Sequence, residues 1–371
     1  MAVAKFIEAG SAATQDFTFY TNTAGTVASA TDHPVAMTNG RSAKVSSGAG
    51  NTQGGFRKAG IMADAGRRGS FSFIIDTIPT TIANIFLVTQ VSGTNVLFIK
   101  LNTDGKLQFG GIGATAVNGT TVLAINTRYR ISFGYTITNT TTYRFDVYVD
   151  GVSQGSATAG TLTNTTSTRI YMGFSTAPGA NINAWYADLY IDDGTDYADV
   201  GEIRVTPKLA FSNGTTNGFT TQIGAGGSGY GSGHAPQVNE RPLSVTNGWS
   251  MVGAGSAVTE EYDIEGASVG DVDITGVNLV DYVGWIYASA LASETAQLIL
   301  NNVTGNISLT STNTMFTQFA GSTTYPAGTG TDIGIITSTT LTTVSLFECG
   351  IMFAYKPGSN THNLTLLGAG T

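Results

Sequence analysis

Between residues 131 and 151 the chain reads ISFGYTITNTTTYRFDVYVDG. Two runs rich in Tyr, Phe, Val, Ile and Thr flank the polar segment Asn139, Thr140, Thr141 and Thr142, and the second run ends in Asp150 and Gly151. That pattern predicts a long antiparallel hairpin that leads into another tight turn. Phe145, Val147 and Val149 alternate with Asp146, Tyr148 and Asp150, so one face is expected to be buried and the other wet. A sheet with one solvated face has to cover its apolar face, and a second sheet is expected across it.

The same pattern recurs along the chain. Short apolar pieces at 5–7, 17–20, 35–37 and 43–45 are separated by Gly, Asn and Ser, and the run from Arg67 to Asp76 alternates through Phe71 and Phe73 before Pro79. Further strands are expected at 85–91, 96–101, 106–109, 121–125, 169–174 and 185–191, with Gly201 to Val205 closing the unit. Asp104-Gly105 supplies a hairpin turn, because this pair tolerates positive φ. About ten short strands in some 200 residues fit a two-sheet sandwich over 1–206. Residues 207–248 read as a Gly/Thr/Asn-rich connector, with Gly224 to Gly233 as its extreme. Residues 249–371 hold a second set of short strands and are expected to form a second, smaller sandwich. Within it the span 279–300 fits either a helix or two strands. Tyr282, Val283, Trp285, Ile286 and Tyr287 favour a strand, with a turn over 290–294.

Composition narrows the class. Of 371 residues 48 are Gly, hydrophobic residues make up 41% and charged residues only 11%, which excludes disorder and disfavours helices. The formal net charge of −8 gives phosphate backbones no electrostatic support, so nucleic acid is not an expected partner. Cys349 is the single cysteine, which excludes an internal disulfide and a thiolate metal cluster. The N-terminus lacks a signal-peptide pattern and no apolar run reaches membrane length. A chain made in a reducing cytoplasm without a membrane partner is expected.

The segments LNTDGKLQFGG, TRYRISFGYTI, YRFDVYVDGV and WYADLYIDD resemble the concanavalin A-like, laminin-G-type jelly-roll family. GEIRVTPK, APQVNERPLS and LFECGIMFAYKP look more narrowly like structural proteins of tailed phages. The resemblance implies an all-β, laminin-G-like jelly-roll sandwich followed by a second sandwich. It also implies a non-enzymatic virion component, assembled in the bacterial host cytoplasm as a capsid decoration, a head or tail fibre or a tail accessory. Its expected partners are other virion proteins, copies of itself and a host-surface glycan. Laminin-G-type domains often hold calcium at the sandwich edge. Asp192 and Asp193, with Asp196 and Asp199 nearby, are the candidate ligands, set against a plain polar turn after a strand.

One motif points to other chemistry. Glu261, Asp263 and Glu265 share one face of an expected strand, and retaining glycosidases use a carboxylate pair. The motif resembles the E-x-D-x-E signature of laminarinase-like glucanases, in which Glu261 would be nucleophile, Asp263 the orienting group and Glu265 the acid/base. A solvated acidic strand face is the competing reading, and no catalytic residue is expected. The patterns at 224–229 and 266–270 lack the strand-to-helix context of phosphate or nucleophile loops and read as turns. His33, His234 and His362 lie far apart in sequence, and Trp185, Trp249 and Trp285 read as core before sugar platforms.

Overall fold

Strand pairing organises all the described residues of the computed structural model. The structure describes residues 26–209 with short breaks at 36, 38–41, 49–53, 65 and 91, the strands Ala4–Glu8 and Thr18–Thr21 before them, and ten further strands after them. The chain divides into two compact units, Met1–Val205 and Thr206–Thr371.

The first unit holds β1 (Ala4–Glu8), β2 (Thr18–Thr21), β3 (Thr26–Ala30), β4 (Ser42–Ser46), β5 (Gly54–Ala59), β6 (Arg67–Ile75), β7 (Ala83–Thr89), β8 (Asn95–Leu101), β9 (Lys106–Gly111), β10 (Val117–Val122), β11 (Tyr129–Ile137), β12 (Tyr143–Val149), β13 (Val152–Ala157), β14 (Arg169–Phe174) and β15 (Asn183–Asp192). They form two antiparallel sheets. One runs β13-β12-β11-β6-β15-β4-β3 with β1 also on β15, and the other runs β10-β9-β8-β7-β14-β5-β2. The chain crosses between sheets after β1, β2, β4, β5, β6, β10, β13 and β14, which gives a jelly-roll-like sandwich, as the alternating pattern requires.

The facing sides of the two sheets share one core. Phe71 stacks on Phe86 at 5.6 Å between ring centroids, Phe86 meets Phe133 at 4.7 Å, and Phe56 meets Tyr186 edge-on at 5.6 Å. Each such buried side chain contributes about 1.5–3 kcal/mol through area removed from water. The hairpin is present as expected. β11 pairs with β12 from Ile131↔Val149 to Ile137↔Tyr143, and Phe145, Val147 and Val149 point into the core with at most 1% exposure. Asn139 Oδ1 accepts from the backbone N–H of Thr141 and Thr142 to close the loop. Asp150 and Gly151 both adopt positive φ, 48° and 84°, the conformation of a two-residue hairpin turn.

Two local expectations need correction, and one strand carries an irregularity. The strand expected at 121–125 lies earlier, at β10, because Leu123 turns into the core while Ile125 stays exposed. The opposite face of the hairpin is not wet: Asp146 is only 3% exposed. On β15 the inward positions are Ala184 and Tyr186, then Leu189 and Ile191. A bulge between Ala187 and Tyr190 shifts the phase by one residue, with Asp188 at φ 54°.

The second unit takes in β16 (Arg204–Leu209), β17 (Ser212–Asn217), β18 (Thr221–Ile223), β19 (Gly248–Ser250), β20 (Thr259–Asp263), β21 (Asn278–Ser289), β22 (Thr295–Leu300), β23 (Val303–Ser308), β24 (Thr314–Thr317), β25 (Ile333–Thr337) and β26 (Leu346–Lys356). One sheet runs β18-β19-β26-β21-β24 with β16 on β26; the other runs β17-β20-β25-β22-β23. Part of the stretch read as a connector is therefore strand, since β17 pairs with β20 and β18 with β19. The described residues of the span 279–300 are strand, as the aromatic residues favoured, but β21 and β22 belong to different sheets, and the turn expected over 290–294 lies outside the described residues.

Candidate functional site

The outer face of the first sheet is covered by residues 192–204, which cross it as a strap. Arg68 Nε donates to both oxygens of Asp192 at 2.8 and 3.0 Å, and its Nη1 reaches Asp196. Tyr148 Oη donates to the Tyr197 carbonyl at 2.8 Å, Thr136 and Tyr197 share a hydroxyl contact at 2.6 Å, and the Arg144 guanidinium sits 4.2 Å over the Tyr197 ring. Arg144 also grips both oxygens of Asp146, which explains how that carboxylate is tolerated under cover. Gly134 is the backbone position beneath the strap. A Cβ there would sit 3.1 Å from Tyr197 Cα and 3.2 Å from the Asp196 carbonyl oxygen, so the absence of a side chain permits the close approach.

At the end of the hairpin, where the strap leaves the sheet, Arg128, Arg130, Asp150 and Glu202 line an open cleft of about 330 Å³. Arg130 is fixed by Asp199 through both guanidinium Nη atoms, and by the Ser132 hydroxyl and the Gly201 carbonyl. Burial pushes the Asp199 carboxyl up, but hydrogen bonds from Arg130 and Ser132 and the Arg130 charge outweigh it, so the group titrates below the ordinary Asp value. Asp150 Oδ1 accepts from the Arg130 backbone N–H at 2.8 Å. Glu202 is paired with Arg204 at 2.7 Å.

Arg128 is held differently. Its Nε donates to Ser72 Oγ at 3.2 Å, while Nη2 stands 3.6 Å from Asp188 and 3.9 Å from Glu202. Both separations exceed hydrogen-bond length. The Nη groups of Arg128 thus have no hydrogen-bond acceptor among the described residues. Behind them Asp188, 1% exposed, accepts from Ser72 Oγ at 2.7 Å and from the Val205 N–H at 2.9 Å. The cleft therefore offers guanidinium donors and carboxylate acceptors in nearly balanced charge.

The sequence-predicted residues fall elsewhere. Asp192, 1% exposed, Asp196 and Asp199 each turn to an arginine, and Asp193 is also engaged. Among the described residues no group of three or more His, Cys, Asp or Glu is arranged to hold a metal. Glu261 and Asp263 lie at alternate positions of β20, with Glu261 opposite Gly334. Glu265 lies outside the described residues, as do 224–233, 266–270, His234 and His362. Trp185 is 4% exposed in a small outer cluster with Met37, Ile74 and Ala187, its Nε1 donating to Asp32. Sequence reading missed Arg128, Arg130 and Glu202. The signal for them was TRYR at the start of β11, which puts two cations on the polar side of a strand in a cation-poor chain.

No protein-family model and no curated protein matches the chain. Among solved structures it is similar to the cellulose-induced protein Cip1, with 14% identity over 50% of this chain and 94% of that one, at a TM-score of 0.40. An endo-β-1,4-glucuronan lyase from Trichoderma reesei shares 14% identity over 52% and 97%, at 0.39. A carbohydrate esterase from the Shiga toxin-encoding bacteriophage phi24B shares 12% over 52% and 99%, at 0.38. The likeness adds nothing finer than the β-sandwich architecture already read from the sheets. It does overturn one expectation: most of these structures are enzymes by name, a lyase, an esterase, an arabinanase domain and sialidases. The expectation that the chain is not an enzyme is withdrawn.

Proposed function

We propose that the chain is a carbohydrate-binding structural component of a tailed-phage particle, displayed on the capsid or tail, with the Arg128–Glu202 cleft as its glycan site. The cleft carries the reading. Its volume lies at the small end of ligand pockets, and its mixture of guanidinium donors and carboxylate acceptors suits a hydroxyl-rich, uncharged ligand better than an anion. Arg128 presents unsatisfied donors; Asp150 and Glu202 present acceptors. The phage setting is supported by the GEIRVTPK and LFECGIMFAYKP resemblance and by the Gly-rich, weakly charged composition, whose short side chains lower the ordering cost of large interfaces. Such a component assembles with copies of itself, most simply as a symmetric trimer.

A neutral-glycan array probed with the full chain and with Asp150→Asn and Arg128→Met tests the site. A ligand of the parent that loses about tenfold or more in affinity with either variant supports it; a ligand indifferent to both removes the cleft from the reading. Following reducing ends on the bound glycan tests turnover at the same time. Mass spectrometry of purified particles and light scattering of the isolated chain test the setting and the oligomer.

A further inference from the structure

Charged side chains are divided unevenly between the two sheets of the first unit. On the outer face of the first sheet and its strap, Lys44, Arg68, Arg128, Arg130, Arg144 and Arg204 all have carboxylate partners. On the outer face of the second sheet, Arg57, Lys100 and Arg169 have none among the described residues.

Register places these groups together. Tyr171 lies opposite Arg57 on one side and Leu87 on the other, and Leu87 lies opposite Phe98. Tyr171, Leu87 and Phe98 form one apolar cluster, 7, 2 and 4% exposed. These covered side chains lie between Arg57 and Arg169 at one end and Lys100 at the other, whose Nζ lies 4.2 Å over the Phe98 ring. From the strand of Arg57 to the strand of Lys100 is three strand spacings, about 14 Å. Arg169 is only 9% exposed yet makes a single side-chain hydrogen bond among the described residues, from Nε to Thr89 Oγ1 at 3.0 Å. Burial, and then the charge of Arg57, weaken its hold on its proton. A guanidinium under cover beside a second cation calls for an anion.

We infer that this face carries an oxyanion subsite, Arg57 with Arg169 beside Tyr171, that takes the carboxylates of an acidic polysaccharide running across the strands to Lys100. An acidic polysaccharide offers what the face asks for: anionic groups at intervals along one chain, matched to cations on strands about 14 Å apart. A nucleic acid fits less well, since three cations on a chain of net charge −8 give little counterion release. The site is separate from the cleft and does not depend on it.

The test uses the full chain and polygalacturonate, its methyl ester and single-stranded DNA, measured by calorimetry at low salt. The expected result is binding of polygalacturonate that weakens about tenfold or more on esterification and with Arg57→Met, and that falls further with added salt. Arg57 is half-buried and has no ion pair among the described residues, so its replacement leaves the fold intact, and Lys100→Met serves as a second variant. Arg128→Met is expected to leave this binding unchanged, which separates the subsite from the cleft. Equal binding of the ester, indifference to both Arg57→Met and Lys100→Met, or DNA binding as tight as polygalacturonate would overturn the inference.

Discussion

Arg130 grips both carboxylate oxygens of Asp199 and so ties the strap to the sheet at the edge of the cleft. Because hydrogen bonds and charge hold the Asp199 carboxyl below its ordinary value, the pair contributes stability that is complete above the unfolded value of about 3.9. That stability is lost as pH falls through the lower folded value. Asp199→Asn is expected to cost about 1 kcal/mol at pH 7, since solvent reaches part of the pair and screens it. The gap from the parent should close as the pH falls below about 4. Calorimetric melts of both proteins across that range check it, and a gap that is constant with pH would contradict the ionic account.

Val147 and Tyr148 separate the two sides of the hairpin. Val147 is fully buried between the sheets, so Val147→Asp places an unpaired carboxylate in the core. Several kcal/mol is a large share of a typical stability of about 5–15 kcal/mol, and loss of soluble protein is expected. Tyr148→Phe removes only the bond to the Tyr197 carbonyl and should cost about 1 kcal/mol. Yields and thermal melts of the two variants compare them.

Gly151 tests the turn that sets register. At φ 84° an added Cβ is strained, so Gly151→Ala is expected to cost about 1–2 kcal/mol. Asp150→Gly keeps the turn but loses the acceptor for the Arg130 N–H, and should cost less. Denaturant midpoints rank them.

Legibility in the sequence followed period. Where two-residue alternation is unbroken, as from Phe145 to Val149, the buried face is plain; where β15 bulges, WYADLYIDD gives no sign that the inward set passes from Tyr186 to Leu189. The strap was invisible for another reason. Its ties join Arg68 to Asp192 and Arg130 to Asp199, 124 and 69 residues apart, and no local pattern records such pairings. The same carboxylates, clustered in sequence, suggested a calcium edge; in space Asp192 and Asp196 share Arg68 while Asp199 turns to Arg130. The cleft went unseen because its residues come from β11, the turn at Asp150 and the strap.

Asp188 is where fold and cleft meet, and its replacements should separate its two roles. The backbone there has φ 54°, which Asn and Gly accept more readily than Ala. The carboxylate meets the Ser72 hydroxyl and the Val205 N–H, with Arg128 at 3.6 Å. Asn keeps an acceptor for Val205 and an amide for Ser72, so it loses mainly the charge facing Arg128. Gly keeps the backbone but leaves the Val205 N–H without its acceptor. Ala loses the acceptor and strains the backbone, and about 3–5 kcal/mol is expected where a buried charge loses its partner. Melting temperatures should therefore fall in the order parent, Asn, Gly, Ala. If Ala matched Asn, neither the bulge conformation nor the carboxylate network would be what holds β15 in place.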